Sequence, residues 1–350
     1  MTTIRAFLEL PAGLASVSLA LQGGLKLRPP ISRLGRKTGY AATILDALGL
    51  RPGQGAGAYL WAEADADVAG LLRIYPDPDA LRTVAAIIRG WAGDEPRALW
   101  YELRERRRAR AAKAAATIGA TAHALAEFVM INESNRLIPV GGPHLDNTAR
   151  GGGTFGAGGF ATPAGTVADR LERIAEWAFL CRGSFRRAGP DASIGRPEGE
   201  PERNGDLPAV VVLDRDFAAA HPGWPPVAVL PAIPDPAVVA AMLGTPGDLE
   251  GCIVYADPPY AGTTGYAHDL PRAEVVRYCL AYADMGATVC VSEQEPIPGL
   301  TEAGWHATEI TADRVGNGRT FSKQQAEWLT MSKPHKRQKT VFDLFSPDSE

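Results

Sequence analysis

The chain has 350 residues, 45% of them apolar, which is enough for a substantial core. Its 36 Lys plus Arg stand against 40 Asp plus Glu, a net charge of -4, which excludes a protein that coats nucleic acid through bulk positive charge; any such contact must come from local basic patches. No run of 18 apolar residues predicts a membrane span, and the four cysteines at 181, 252, 279 and 290 lack metal-ligand or CxxC spacing, so a reducing cytoplasm is the expected setting.

Taken in chain order, Met1 to Leu21 is apolar but interrupted by Arg5, Glu9 and Pro11, unlike a cleavable leader. Ser16 to Leu21 alternates like a strand, broken by Gly23-Gly24. A basic loop from Arg28 to Thr38 leads into a predicted helix from Tyr40 to Leu48, ended by Gly49. Tyr59 to Glu63 is a short apolar run closing on an acid, the pattern of a buried parallel strand whose carboxyl end meets a ligand. Leu81, Val84, Ile87, Ile88 and Trp91 recur at helical spacing.

Over residues 104–113 the composition changes, with Arg104, Arg106, Arg107, Arg108, Arg110 and Lys113 set against Glu105 on an Ala-rich helical stretch. A glycine-crowded loop (151–159) and a polar one (191–206) flank an amphipathic helix carrying Val167, Leu171, Ile174, Ala178 and Cys181. The reading is an insertion over 101–249 between two halves of a core, residues 1–100 and 250–332, followed by a basic tail, 333–350. Strand 252–256, a helix opened by Pro271 and ended at Gly286, strand 288–292, and two strands at 306–310 and 327–332 then follow. The predicted class is α/β, a Rossmann-like doubly wound sheet with an antiparallel edge hairpin.

The sharpest chemical signal is Asp257-Pro258-Pro259-Tyr260, directly after the apolar strand 252–256, because ligands of open α/β sheets sit beyond the carboxyl ends of the strands. An exocyclic amine on an aromatic ring is a poor nucleophile, its lone pair being delocalised. A carboxylate (Asp257) and a carbonyl (Pro258) accepting its two N–H bonds would favour a pyramidal nitrogen. Two prolines stiffen that carbonyl and offer no competing N–H, while Tyr260 presents a flat face for a base rotated out of a duplex. The plain alternative is a Pro-Pro turn capped by Asp and packed by Tyr.

The stretch from Asp257 to Tyr266 resembles the motif region of the Dam-like DNA adenine methyltransferases, which include many phage-borne members. The resemblance implies S-adenosylmethionine as cofactor, double-stranded DNA as partner, a Rossmann-like methyltransferase sheet with a mainly helical target-recognition insertion, and binding of the adenine amine by Asp257 and Pro258 with Tyr260 stacked on the flipped base. Arg314, Asn317-Gly318, Lys323 and Glu327-Trp328-Leu329 resemble that family's closing hairpin. Ser32 to Lys37 resembles the segment with which the family begins its cofactor site, implying Gly35 and Lys37 near the cofactor. Leu60 to Asp67 resembles its second strand, implying Glu63 at the ribose hydroxyls. The family's Phe-x-Gly-x-Gly loop is missing between those two segments, where only Pro52 to Gly57 offers glycines.

Other candidates carry plain alternatives. The arginine run is a phosphate surface or a solvated helix face. Arg182, Arg186 and Arg187 beside Trp177 and Phe185 suit base and phosphate contacts, or the aromatics are simply core. Glu293 shapes the substrate site or is a solvated strand end. His123, His144, His221 and His268 show no metal spacing, and no metal is expected. Gln338 to Phe345 resembles the peptides with which DNA enzymes dock on sliding clamps, or folds back through Phe342 and Phe345. Three functions stay open: methylation of adenine N6, methylation of another planar amine such as cytosine N4 or an RNA base, and a catalytically inactive DNA-binding accessory.

Overall fold

Five short apolar runs, buried on both faces, make a parallel sheet with helices on either side. The computed structural model describes residues 4–31, 37–91, 96–120, 139–140, 166–183, 217, 222–259, 270–310 and 326–332, leaving aside the side chains at 66, 96–97, 111–120, 139–140 and 182–183. Strands β1 (Ala6–Glu9), β2 (Tyr59–Ala62), β3 (Pro139–Val140), β4 (Val227–Leu230), β5 (Cys252–Ala256), β6 (Thr288–Glu293), β7 (His306–Glu309) and β8 (Trp328–Met331) form one sheet in the order β3-β4-β2-β1-β5-β6-β8-β7. Strands β4, β2, β1, β5 and β6 run parallel, whereas β8 is antiparallel to β6 and β7. The fold is therefore mixed α/β with a mainly parallel, Rossmann-like sheet.

Alternation along each strand sorts the core into two layers. Phe7, Tyr59, Trp61, Val229, Ile253 and Tyr255 face helices α1 (Ser16–Gly23), α2 (Ala41–Ala47), α3 (Ala66–Ile74), α4 (Pro78–Gly90), α5 (Pro96–Ala120) and α6 (Val167–Gly183). Leu8, Leu60, Leu230, Val254 and Val291 face α7 (Pro236–Met242), α8 (Arg272–Asp284) and the short α9 (Pro298–Thr301). Asp65, Asp77 and Asp235 start α3, α4 and α7 by accepting backbone N–H bonds of the first turn, a standard cap.

Two expectations are corrected. Ser16 to Leu21 is a helix, and all six residues are buried, so the serines that mimic an exposed strand face are interior polar groups. Ser18 Oγ donates to Glu9 Oε2 at 2.6 Å and accepts from Trp61 Nε1 at 2.9 Å. The true first strand lies upstream, at Ala6–Glu9. The second correction concerns the boundary at 249: β4 pairs in parallel with β2, and Val239 and Ala240 of α7 join the core, so 222–249 belongs to the sheet and not to an insertion.

Candidate active site

The parallel order reverses between β1 and β5, the switch point at which open α/β sheets bind ligands beyond their carboxyl ends. Register sets Glu9 beside Trp61 on one side and Tyr255 on the other, and Ala256 beside Val291. The same rim therefore carries Glu9 from β1, Glu63 just past β2, Asp257-Pro258-Pro259 just past β5, and Ser292 and Glu293 from β6.

Asp257 keeps some exposure, with 22% of its side chain accessible, while Pro258 is buried. Lys37 Nζ lies 2.8 Å from Asp257 Oδ1 and 3.6 Å from Glu327 Oε1, with only 6% of its own side chain accessible. Ser292 Oγ also donates to Asp257 Oδ1, at 3.2 Å, and is itself 2.8 Å from the Tyr255 hydroxyl. Among the described residues, the contacts made by Asp257 thus gather on Oδ1. Lys37, expected near a cofactor, has its ammonium on the motif's carboxylate.

The turn from β1 to α1 is the feature that the sequence reading missed. Leu10 N–H donates to the Tyr255 carbonyl and Ala12 N–H to the Ala62 carbonyl, so the turn straddles the ends of β5 and β2. Gly13 has φ +50°, and a Cβ built there meets none of the described residues within 4 Å. Ala15, the residue before α1, also has positive φ, at 51°, a conformation that costs an L-residue roughly 1–2 kcal/mol. Glu63 Oε2 accepts from Gly13 N–H at 2.9 Å, and its other oxygen accepts from Asp65 N–H at 2.8 Å. Gly53 to Gly57, the glycines that stand where the resemblance expects the glycine loop, lie at the amino end of β2, where Gly57 N–H bonds the Ile4 carbonyl, away from this rim. The available signal was Ala6-Phe7-Leu8-Glu9, an apolar run closing on an acid and followed by a glycine, the same form as Tyr59 to Glu63.

Glu9 caps α1 from outside, accepting Val17 N–H at 3.4 Å and Ser18 N–H at 2.9 Å, where the helix dipole favours negative charge. Burial nevertheless raises its carboxyl from 4.5 to about 7. Glu293 is buried too, not a solvated strand end. Its Oε2 pairs with Arg272 at 2.6 Å, and burial pushes its carboxyl up against the opposing pull of the Gln294 N–H and Arg272.

The arginine run lies on α5 as expected, but much of it is engaged internally. Arg106 reaches Glu172 and Glu176, Arg110 pairs with Glu176, and Arg107 with Asp67 at the start of α3. Arg104 stands 5.2 Å from the Trp100 ring centroid, whereas Arg108 is half-exposed and, among the described residues, pairs with Glu105 one turn away. Replacing Arg106 and Arg110 together by Ala strands the buried Glu176 and is expected to cost about 2–3 kcal/mol in urea unfolding. Arg108→Ala should change it by less than about 0.5 kcal/mol. Trp177 is core, not a stacking platform.

Gly35, Tyr260, Tyr266, Arg314, Asn317, Lys323, Phe185, Arg186, Arg187, the four histidines and Gln338 to Phe345 lie outside the described residues, as does the Arg182 side chain. All four cysteines are buried and none forms a disulfide among the described residues, and no helix among those residues is long and apolar enough to cross a membrane. No family model matches the chain, and no curated protein matches it.

Proposed function

We propose that this chain methylates the exocyclic amine (N6) of adenine in double-stranded DNA, using S-adenosylmethionine. The observation that carries the reading is Asp257: a partly exposed carboxylate, followed by two prolines, at the end of β5 beside the sheet's switch point, with Oδ1 held by Lys37 and Ser292. Asp257 accepts one N–H of the flipped base and the Pro258 carbonyl the other, which directs the nitrogen lone pair outward. As the nitrogen–carbon bond forms and the carbon–sulfur bond breaks, Asp257 stands in place to take the proton that the methylated amine sheds. Rate comes from positioning and from fixed acceptors, with no covalent enzyme intermediate.

The rim suits the cofactor. Open space at Gly13 lets a ligand approach the β1–α1 turn, Glu63 offers lone pairs to ribose hydroxyls, and the carboxylates of Glu63 and Asp257 at the rim suit a cation. When bound, S-adenosylmethionine supplies an electrophilic sulfonium methyl. Gly13, on the turn after β1, favours this reading over the inactive accessory, and calorimetry that finds no S-adenosylmethionine binding would favour the accessory. DNA contact is assigned to the exposed part of α5, chiefly Arg108, and to Tyr266, Arg314, Asn317 and Lys323. A sliding clamp is the proposed partner of Gln338 to Phe345.

The test is product identification. Duplex DNA incubated with the protein and labelled S-adenosylmethionine, then digested to nucleosides, is expected to carry the label as N6-methyldeoxyadenosine. Label on cytosine N4 would replace the substrate assignment, and cofactor binding without any labelled nucleoside would refute the reaction.

A further inference from the structure

The Lys37 ammonium is almost wholly buried, a placement that costs several kcal/mol unless opposite charges surround it. Its partners come from two distant elements, Asp257 beyond β5 and Glu327 at the start of β8. Glu327 is buried as well, and its carbonyl accepts the Ile310 N–H, which ties it to the closing hairpin. Lys37 itself is fixed by the turn into α2, where its carbonyl accepts the Tyr40 N–H, and its neighbour Thr38 bonds the Ser16 hydroxyl at 3.4 Å. On the other side of Asp257, the buried Tyr255 hydroxyl, 2.8 Å from Ser292 Oγ, leaves that hydroxyl's proton to point at Oδ1.

We propose that Lys37 and Ser292 are positioning residues that lock the Asp257 carboxylate through Oδ1, so that Oδ2 faces the substrate amine, and that Glu327 holds Lys37 in place from the C-terminal hairpin. This deepens, and rests on, the reading of Asp257 as acceptor of that amine. A carboxylate with one oxygen saturated by a buried cation and a hydroxyl has one rotamer, and its second oxygen has one direction. Lys37 then acts on the rate through Asp257 and not through cofactor affinity.

The experiment has two arms on the full chain. In the first, which needs no reaction, urea midpoints are measured for Lys37→Met, Asp257→Asn and the double variant. Both single changes lower the midpoint and the double change costs less than their sum; additive losses would overturn the pairing. In the second, single-turnover methyl transfer is compared with calorimetric S-adenosylmethionine affinity. Lys37→Met slows transfer about 100-fold, the size expected of a misplaced reacting group, and Lys37→Arg recovers part of it. Ser292→Ala, a milder change should Lys37→Met fold poorly, slows transfer about tenfold. In all three variants cofactor affinity stays within about threefold. A loss of affinity with unchanged turnover would make Lys37 a cofactor ligand and overturn the positioning role. If the unaltered protein transfers no methyl group, the proposed function fails, while the first arm still decides whether Lys37 and Asp257 act as a pair.

Discussion

Asp257→Ala is expected to slow single-turnover methyl transfer by at least about 1000-fold while leaving DNA and cofactor affinity within a few-fold. The magnitude follows from removing one preorganised hydrogen-bonding group aimed at the reacting centre. It also follows from position: Asp257 is partly exposed at the rim, outside the packed layers formed by Ile253 to Ala256. Its loss leaves Lys37 with Glu327 as a remaining counter-ion at 3.6 Å, so the variant should still fold, with a lowered urea midpoint. Filter-bound tritium from labelled S-adenosylmethionine measures the rate, and fluorescence anisotropy of a labelled duplex measures binding. Transfer at the unaltered rate would remove Asp257 from the chemistry.

The second large effect concerns Glu9 and pH. Its carboxyl is raised from 4.5 to about 7 in the folded chain, so the fold prefers the protonated form. That preference contributes stability fully below about pH 4.5 and loses it as pH rises through about 7, a swing of about 3 kcal/mol. Glu9→Gln cannot ionise and should lose this part of the pH dependence, while that of other groups such as Glu293 stays. Gln loses part of the cap on Val17 and Ser18, worth about 1 kcal/mol, so the variant is expected to be less stable than the unaltered protein at pH 5 and more stable at pH 8. Urea unfolding at pH 5, 6, 7 and 8 measures the crossing, and parallel curves would contradict it.

The half of the site around Asp257 was legible because it depends on local pattern. Cys252 to Ala256 is an unbroken apolar run, Pro258-Pro259 ends it, and Pro271 and Gly286 bracket the next helix. The half around Glu9 was hidden because tertiary partners override periodicity there. Ser16-Val17-Ser18-Leu19 alternates like a strand only if the serines face water, and Ser18 instead bonds Glu9 and Trp61 in the interior. The resemblance places the glycine loop after the lysine segment, whereas this chain carries Gly13 ahead of Lys37, on the turn that follows β1. β4 was absorbed into a supposed insertion because its four residues stand between long polar and Pro-rich stretches. Its strand identity comes from the parallel partner β2, more than 160 residues earlier. The helix bearing the arginine run could be read from composition, but its acidic partners Asp67 and Glu176 are far away in sequence and could not.

Asp257 and the Pro258 carbonyl are together expected to grip the amine of an extruded adenine. A crystal structure of the protein with an adenine-containing duplex and an unreactive cofactor analogue tests it most directly. The adenine N6 is expected within about 3 Å of both Asp257 Oδ2 and the Pro258 oxygen, with Lys37 still on Oδ1. An adenine that stays stacked in the duplex, or an extruded base whose amine meets neither acceptor, would contradict the account.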